Sequence, residues 1–223
     1  MNVLEQPLGA LARDIAGVTA LFHRHGLDFC CGGQRSLRDA ATLKGLDPES
    51  IAAEIEACRK QPQSDQPDWS EVESAELIEH ILNRFHQVHR EQLPEMIRLA
   101  DRVERVHGER SDCPRGLAQH LLSMQDELLM HMEKEEQVLF PLLAGGGNRM
   151  VLGPIQVMRR EHDDHAEALA RLVELCHGLE APADACNTWR ALYRLVSAFR
   201  FDLMEHIHLE NNILFARPEE LHV

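Results

Sequence analysis

Aromatic side chains make up only 4% of this 223-residue chain, with one tyrosine and two tryptophans. The alternation of apolar and polar residues that marks half-buried strands is equally scarce, so a sheet-based fold is not expected. Nowhere do 18 consecutive apolar residues occur, and Met1 to Pro7 contain no basic region followed by an apolar stretch. Neither a membrane span nor a secretory leader is therefore expected, and the reading is a cytoplasmic protein that does not engage a membrane. Positive charge is short as well: 23 Lys and Arg against 37 Asp and Glu leave a net charge of −14. That balance argues against nucleic acid as a partner, because phosphate binding rests on clustered Lys and Arg. Six cysteines, two of them adjacent, make a poor disulfide framework, and a reducing compartment keeps them as thiols for metal or redox use.

What the chain does have is Leu, Ala, Glu, Arg and Met in long stretches of 3.6-residue periodicity, which predicts an all-α protein. At 25.4 kDa it can hold one large domain and one small one. Residues 7–25 read as one helix closed by Gly26, Ser36 caps a short helix to Lys44, and Asp47-Pro48 opens another to about Lys60. These form an expected three-helix unit, residues 1–60. Its charge is about −1, from seven basic and eight acidic residues, so the acid excess lies in the rest of the chain. Residues 61–68 are polar, broken by proline and without periodicity, which predicts a linker. From 69 to 223 four long helical patterns follow. They run from Ser74 to His107 with a kink at Pro94, from Pro114 to about Leu143, from Gly153-Pro154 to about His177, and from Pro182 to about Arg217. Long helices joined by short loops predict an up-down four-helix bundle.

The bundle carries a repeat. His131 to Phe140 and His206 to Phe215 both read H-x3-E-x2-(Val/Ile)-Leu-Phe, 75 residues apart. On a helix, positions i and i+4 share a face, so each pair, His131/Glu135 and His206/Glu210, can point at one spot. The same face holds Leu117, Leu121, Met124, Leu128 and Val138 in the first copy, and Leu192, Val196, Phe199, Leu203 and Ile213 in the second. The preceding helices repeat in the same way around His86 and His162. Four imidazoles and two carboxylates on an apolar seam would be very costly to bury without partners, and a metal pair removes that cost. Six N/O ligands with two-fold symmetry suit two irons sharing two bridging glutamates, with manganese as the other candidate; zinc prefers a closed site of four ligands. His89 and His165, one turn beyond, read as core or supporting histidines. Glu104/His107 and Glu205/His208 have Glu-x-x-His spacing but do not match between the halves.

Residues about 74–217 thus resemble a hemerythrin-like domain. With the leader Asp28-Phe29-Cys30-Cys31-Gly32-Gly33 before them, the whole chain resembles the repair-of-iron-centres family of bacterial di-iron proteins. The resemblance implies a non-haem di-iron centre, oxo-bridged, with terminal ligands His86, His131, His162 and His206 and bridging Glu135 and Glu210. It also implies repair of iron–sulfur clusters damaged by nitric oxide or peroxide, through iron donation or nitric oxide reduction, with damaged iron–sulfur proteins as clients and NO or O2 as small ligands. Oxygen-carrying hemerythrins use an additional histidine and end with H-x4-D, whereas both segments here are H-x3-E, which leaves more open metal positions. Cys30 and Cys31 read as a redox or nitrosyl relay, or a temporary iron ligand, with the glycines after them letting the backbone approach a partner closely. Cys58, Cys113, Cys176 and Cys186 have no such context. The other readings are a hemerythrin-like oxygen, NO or redox sensor without repair activity, and a metal-free helical adaptor. A homodimer is compatible with the linker.

Overall fold

A computed structural model of the chain describes residues 2–60, 67–146 and 149–220. Among them the secondary structure is helical, with a single isolated β-bridge between Pro7 and Ser36. The linker expected at 61–68 lies outside the described residues except for Pro67 and Asp68. The chain divides into two compact units, one of Met1–Ile78 with Met204–Val223, the other of Glu79–Leu203.

In the first unit the stretch expected to be one helix is two, α1 (Leu8–Asp14) and α2 (Val18–Arg24), followed by α3 (Leu37–Leu43) and α4 (Pro48–Arg59). The break is made by Gly17, whose φ of +81° is left-handed backbone that interrupts a right-handed helix. Other expected boundaries hold for their chemical reasons. Gly26, at φ +65°, closes α2 with the Leu27 N–H donating to the Phe22 carbonyl at 2.9 Å. Ser36 Oγ accepts from the Asp39 N–H at 3.1 Å, and Asp47 Oδ1 from the Glu49 N–H at 3.1 Å, with Pro48 in the first turn of α4. The helices bury Leu8, Leu11, Leu21, Phe22, Leu37, Ile51 and Ile55 completely or nearly so. Each such side chain contributes roughly 1.5–3 kcal/mol relative to exposure.

The remaining helices are α5 (Ser74–Ile81), α6 (Gln87–His107), α7 (Leu117–Lys134), α8 (Phe140–Ala144), α9 (Leu152–Leu175), α10 (Asn187–Leu209) and α11 (Ala216–Glu220). Pro94 sits inside α6 without ending it. α7 begins at Leu117 rather than Pro114, after left-handed Gly116 at φ +84°, and the Glu104 carboxylate caps it by accepting from the Gly116 and Ala118 N–H groups at 3.1 and 2.8 Å. α10 begins at Asn187 rather than Pro182 because residues 182–185 form a turn, with the Ala185 N–H donating to the Pro182 carbonyl and the Arg190 guanidinium to those of Ala183 and Ala185.

Three π-helical turns, Leu82–His86, Glu135–Leu139 and Glu210–Leu214, were not anticipated from the periodicity. In each, an N–H donates to the carbonyl five residues back: Gln87 to Leu82, Phe140 to Glu135, Phe215 to Glu210. A π turn inserts one residue into the helical register. Val138, expected on the buried seam, is consequently 52% exposed, and Leu139 takes the inward position at 1%.

Candidate metal centre

Each π turn begins or ends on a candidate ligand: His86, Glu135 and Glu210. Such turns concentrate at functional sites because the widened turn re-aims a side chain that a regular helix would not present.

In the second unit, His86, His131, Glu135 and His162 are all buried. The two Glu135 carboxylate oxygens face different rings: Oε1 lies 3.3 Å from His131 Nε2 and Oε2 lies 3.4 Å from His86 Nε2. His162 Nε2 stands 3.0 Å from His131 Nε2, and one ligand atom from each of His131, Glu135 and His162 lies within 4.8 Å of the others. The opposite ring nitrogens are held from outside. His86 Nδ1 donates to Glu136 Oε1 at 2.7 Å, an oxygen that also accepts from Arg90 Nη2 at 2.7 Å. His131 Nδ1 donates to Glu161 Oε2 at 2.9 Å, while Glu161 Oε1 accepts from Lys134 Nζ at 2.6 Å. For Glu161, the hydrogen bond from His131 outweighs partial burial and, with Lys134, brings its carboxyl down to about 2. For Glu136, partial burial pushes upward but the hydrogen bonds from His86 and Arg90 prevail, and its carboxyl lies below the ordinary range. Both carboxylates are therefore ionised acceptors at neutral pH, which assigns the protons to Nδ1.

With Nδ1 donating outward, the Nε2 atoms of His86 and His131 are left facing the two oxygens of one carboxylate. Imidazole nitrogens and carboxylate oxygens that converge in a buried site could hold a cation among them. The set fits a metal. Glu136 and Glu161 hold the two rings from outside, as carboxylate partners do for metal-ligating histidines.

In the first unit His206 Nε2 is 3.1 Å from Glu210 Oε1, the counterpart of His131 with Glu135, and both are fully buried. The residue after the glutamate has diverged. Glu136 orients His86 in the first copy, whereas Asn211 in the second donates from Nδ2 to the Cys30 carbonyl at 3.1 Å. Asn212 donates to the Phe29 carbonyl at 3.1 Å and lies 2.9 Å from His208 Nδ1. Two successive amides of the π turn thus pin the cysteine loop. Burial pushes His208 down to about 4, so its ring, set against Phe29, is neutral. Neither asparagine was singled out from the sequence; the Asn-Asn pair following H-x3-E was the available signal.

Neither Cys30 nor Cys31 is in a disulfide; Cys30 is buried and Cys31 partly exposed. Asp28 Oδ1 accepts from both backbone N–H groups at 3.2 and 3.0 Å and from Cys30 Sγ at 3.3 Å. The hydrogen bond with Cys31 and then burial push the Cys30 thiol well up. Within the chain the second glycine is closely packed: the Gly9 N–H donates to the Gly33 carbonyl at 2.8 Å, and a Cβ on Gly33 would stand 2.8 Å from the Phe29 carbonyl oxygen.

The other candidates have different duties. His89 packs edge-on against Phe199, with ring centroids 5.4 Å apart, and His165 edge-on against His131 at 4.9 Å. Glu104 caps α7, so Glu104/His107 is not a ligand pair.

Residues 77–217 match the family described as the hemerythrin HHE cation binding domain, and residues 4–59 match ScdA_N, described as a domain of unknown function. The chain is 49% identical over 217 residues to the iron-sulfur cluster repair protein YtfE of Pectobacterium carotovorum, covering 97% of this chain and 98% of that one. To the YtfE protein of Yersinia pseudotuberculosis serotype IB it is 48% identical over the same shares. The chain belongs to the repair-of-iron-centres family. Membership spans both the hemerythrin-like region and the cysteine-bearing leader, and the family's helical bundle is the fold seen here. No helix among the described residues is long and apolar enough to cross a membrane.

Proposed function

We propose that this chain is a cytoplasmic di-iron protein that repairs iron–sulfur clusters damaged by nitrosative and oxidative stress. The observation that carries the reading is the Glu135 carboxylate, whose two oxygens face the Nε2 atoms of His86 and His131. In this reading His86, His131, His162 and His206 are the terminal ligands, and Glu135 and Glu210 the bridges. The second half enters because the H-x3-E repeat returns with the same His–Glu approach and the same π turn. When bound, the iron pair supplies redox chemistry toward small ligands such as NO and O2, and iron is also the cargo that a damaged cluster would receive.

The chain's own groups do the holding. Glu136 and Glu161 fix two imidazoles by their Nδ1 protons, and half-exposed Arg90 and Lys134 tether those carboxylates at the solvent side. Water-accessible outer partners favour exchange of iron over its permanent retention. Cys30 and Cys31 serve as the relay, with partly exposed Cys31 as the entry point and buried Cys30 holding its proton. Residues 1–60 are the cysteine domain, 61–68 the linker and 69–223 the iron domain, a division supported by the matched ranges 4–59 and 77–217. Clients are damaged iron–sulfur proteins.

Metal analysis of the isolated chain should return two irons, with a near-ultraviolet absorption band that His131→Ala or Glu210→Ala weakens. Incubation with a nitric-oxide-damaged iron–sulfur protein should restore that protein's cluster. A chain that holds only zinc, without redox response, would sink the proposal; a stable reversible oxygen adduct with no iron loss to an apo-acceptor would make it a sensor.

A further inference from the structure

Away from the histidine–glutamate cluster, the second unit brings together a thiol and an imidazole 79 positions apart in the chain, with Cys186 Sγ 3.3 Å from His107 Nε2. Cys186 immediately precedes the 23-residue α10, and its carbonyl accepts the Arg190 N–H at 3.1 Å. His107 is the last residue of the 21-residue α6. A helix N-terminus favours negative charge and a C-terminus positive charge, so moving the proton from Sγ to Nε2 puts each charge at the helix end that stabilises it. The imidazole is steadied by the Trp189 ring, with centroids 5.2 Å apart. Trp189 in turn has the Arg110 guanidinium 5.4 Å from its ring, and Arg110 is anchored on Asp112 and Asp184.

The unit supplies its own contrast. Cys113 and Cys176 are buried, and burial pushes both thiols up, that of Cys176 to about 12. Cys186 alone among the three cysteines of this unit is partly exposed and meets an imidazole.

We propose that Cys186 and His107 form a reactive-thiol site for small electrophiles of the hydroperoxide class. His107 Nε2 takes the thiol proton as Sγ attacks one peroxide oxygen. An S–O bond forms, the O–O bond breaks, and the departing oxygen leaves with the proton that His107 held, as water from hydrogen peroxide or as the alcohol from an alkyl hydroperoxide. The sulfur loses two electrons to become a sulfenic acid and the peroxide gains them, leaving a species that a second thiol can reduce.

The test uses the full chain with its iron bound. Trace iodoacetamide labelling, quantified by peptide mass spectrometry, should modify Cys186 at least about tenfold faster than partly exposed Cys58, which serves as internal reference. A stoichiometric pulse of hydrogen peroxide followed by dimedone should place the sulfenic-acid adduct on Cys186. His107→Gln should bring Cys186 down to the Cys58 rate while the Cys58 rate and the circular dichroism spectrum stay unchanged. Equal rates at Cys186 and Cys58 in the unmodified chain would overturn the proposal without any variant, and so would a folded His107→Gln chain whose Cys186 reacts as before.

Discussion

Replacing Glu136 by alanine removes an acceptor that His86 Nδ1 and Arg90 Nη2 share at 2.7 Å each. If His86 is an iron ligand, its ring then loses the bond that sets its tautomer and its aim. Loss of such an outer partner typically costs about 10–100-fold in metal affinity. The Glu136 side chain is 26% exposed, so water can reach the freed Nδ1. The effect should therefore fall near the lower end, about tenfold or ~1.4 kcal/mol. The fold should notice less, because the carboxylate lies at the edge of the site and buries little apolar surface. The assay is transfer of iron from the loaded chain to a coloured chelator, followed by absorbance, beside a thermal melt of the same sample. Glu136→Ala should lose iron faster with a melting temperature close to the parent's. Glu136→Gln, which keeps an acceptor oxygen, should lie between, and Arg90→Ala, which removes only the tether, should have the smallest effect. Unchanged iron loss with a lowered melting temperature would refute the reasoning, because Glu136 would then support the helices and not the ligand.

Gly33→Ala should destabilise the first unit by about 1–3 kcal/mol, since the new Cβ would meet the Phe29 carbonyl oxygen at 2.8 Å and backbone cannot step aside; an unchanged urea midpoint would contradict this. Low pH should expose the Arg110 cluster. Its hydrogen bonds hold Asp112 and Asp184 below their ordinary 3.8, so the stability they supply is present above that value and is lost as pH falls through the depressed range. The difference in melting temperature between the parent and Arg110→Gln should therefore shrink on acidification from about pH 5 to about pH 2. A difference independent of pH would mean that Arg110 acts by packing on Trp189 alone.

Much of the candidate site was legible because helical spacing is short-range. His131 and Glu135 are four residues apart, and any helix carrying them puts them on one face; Leu117, Leu121, Met124 and Leu128 lie on the buried seam as their spacing requires. Capping was legible for the same reason, at Gly26, Ser36 and Asp47-Pro48. The split between α1 and α2 was not, because glycine tolerates helical backbone and nothing local distinguishes Gly17 as left-handed. The π turns escaped periodicity altogether, and with them the exchange of Val138 for Leu139 on the inward face.

The sequence by itself determined the helical class, the doubled His–Glu pattern and the resemblance to iron-centre repair proteins, all of which rest on residue type and on separations of a few positions. Only the tertiary structure decided which groups hold those residues. Glu136 reaches His86 across 50 positions, Glu161 reaches His131 across 30, Asn211 reaches Cys30 across 181 and His107 reaches Cys186 across 79. The physical reason is that a hydrogen bond between helices depends on where whole elements pack, and the periodicity of a single helix carries no information about what stands opposite it.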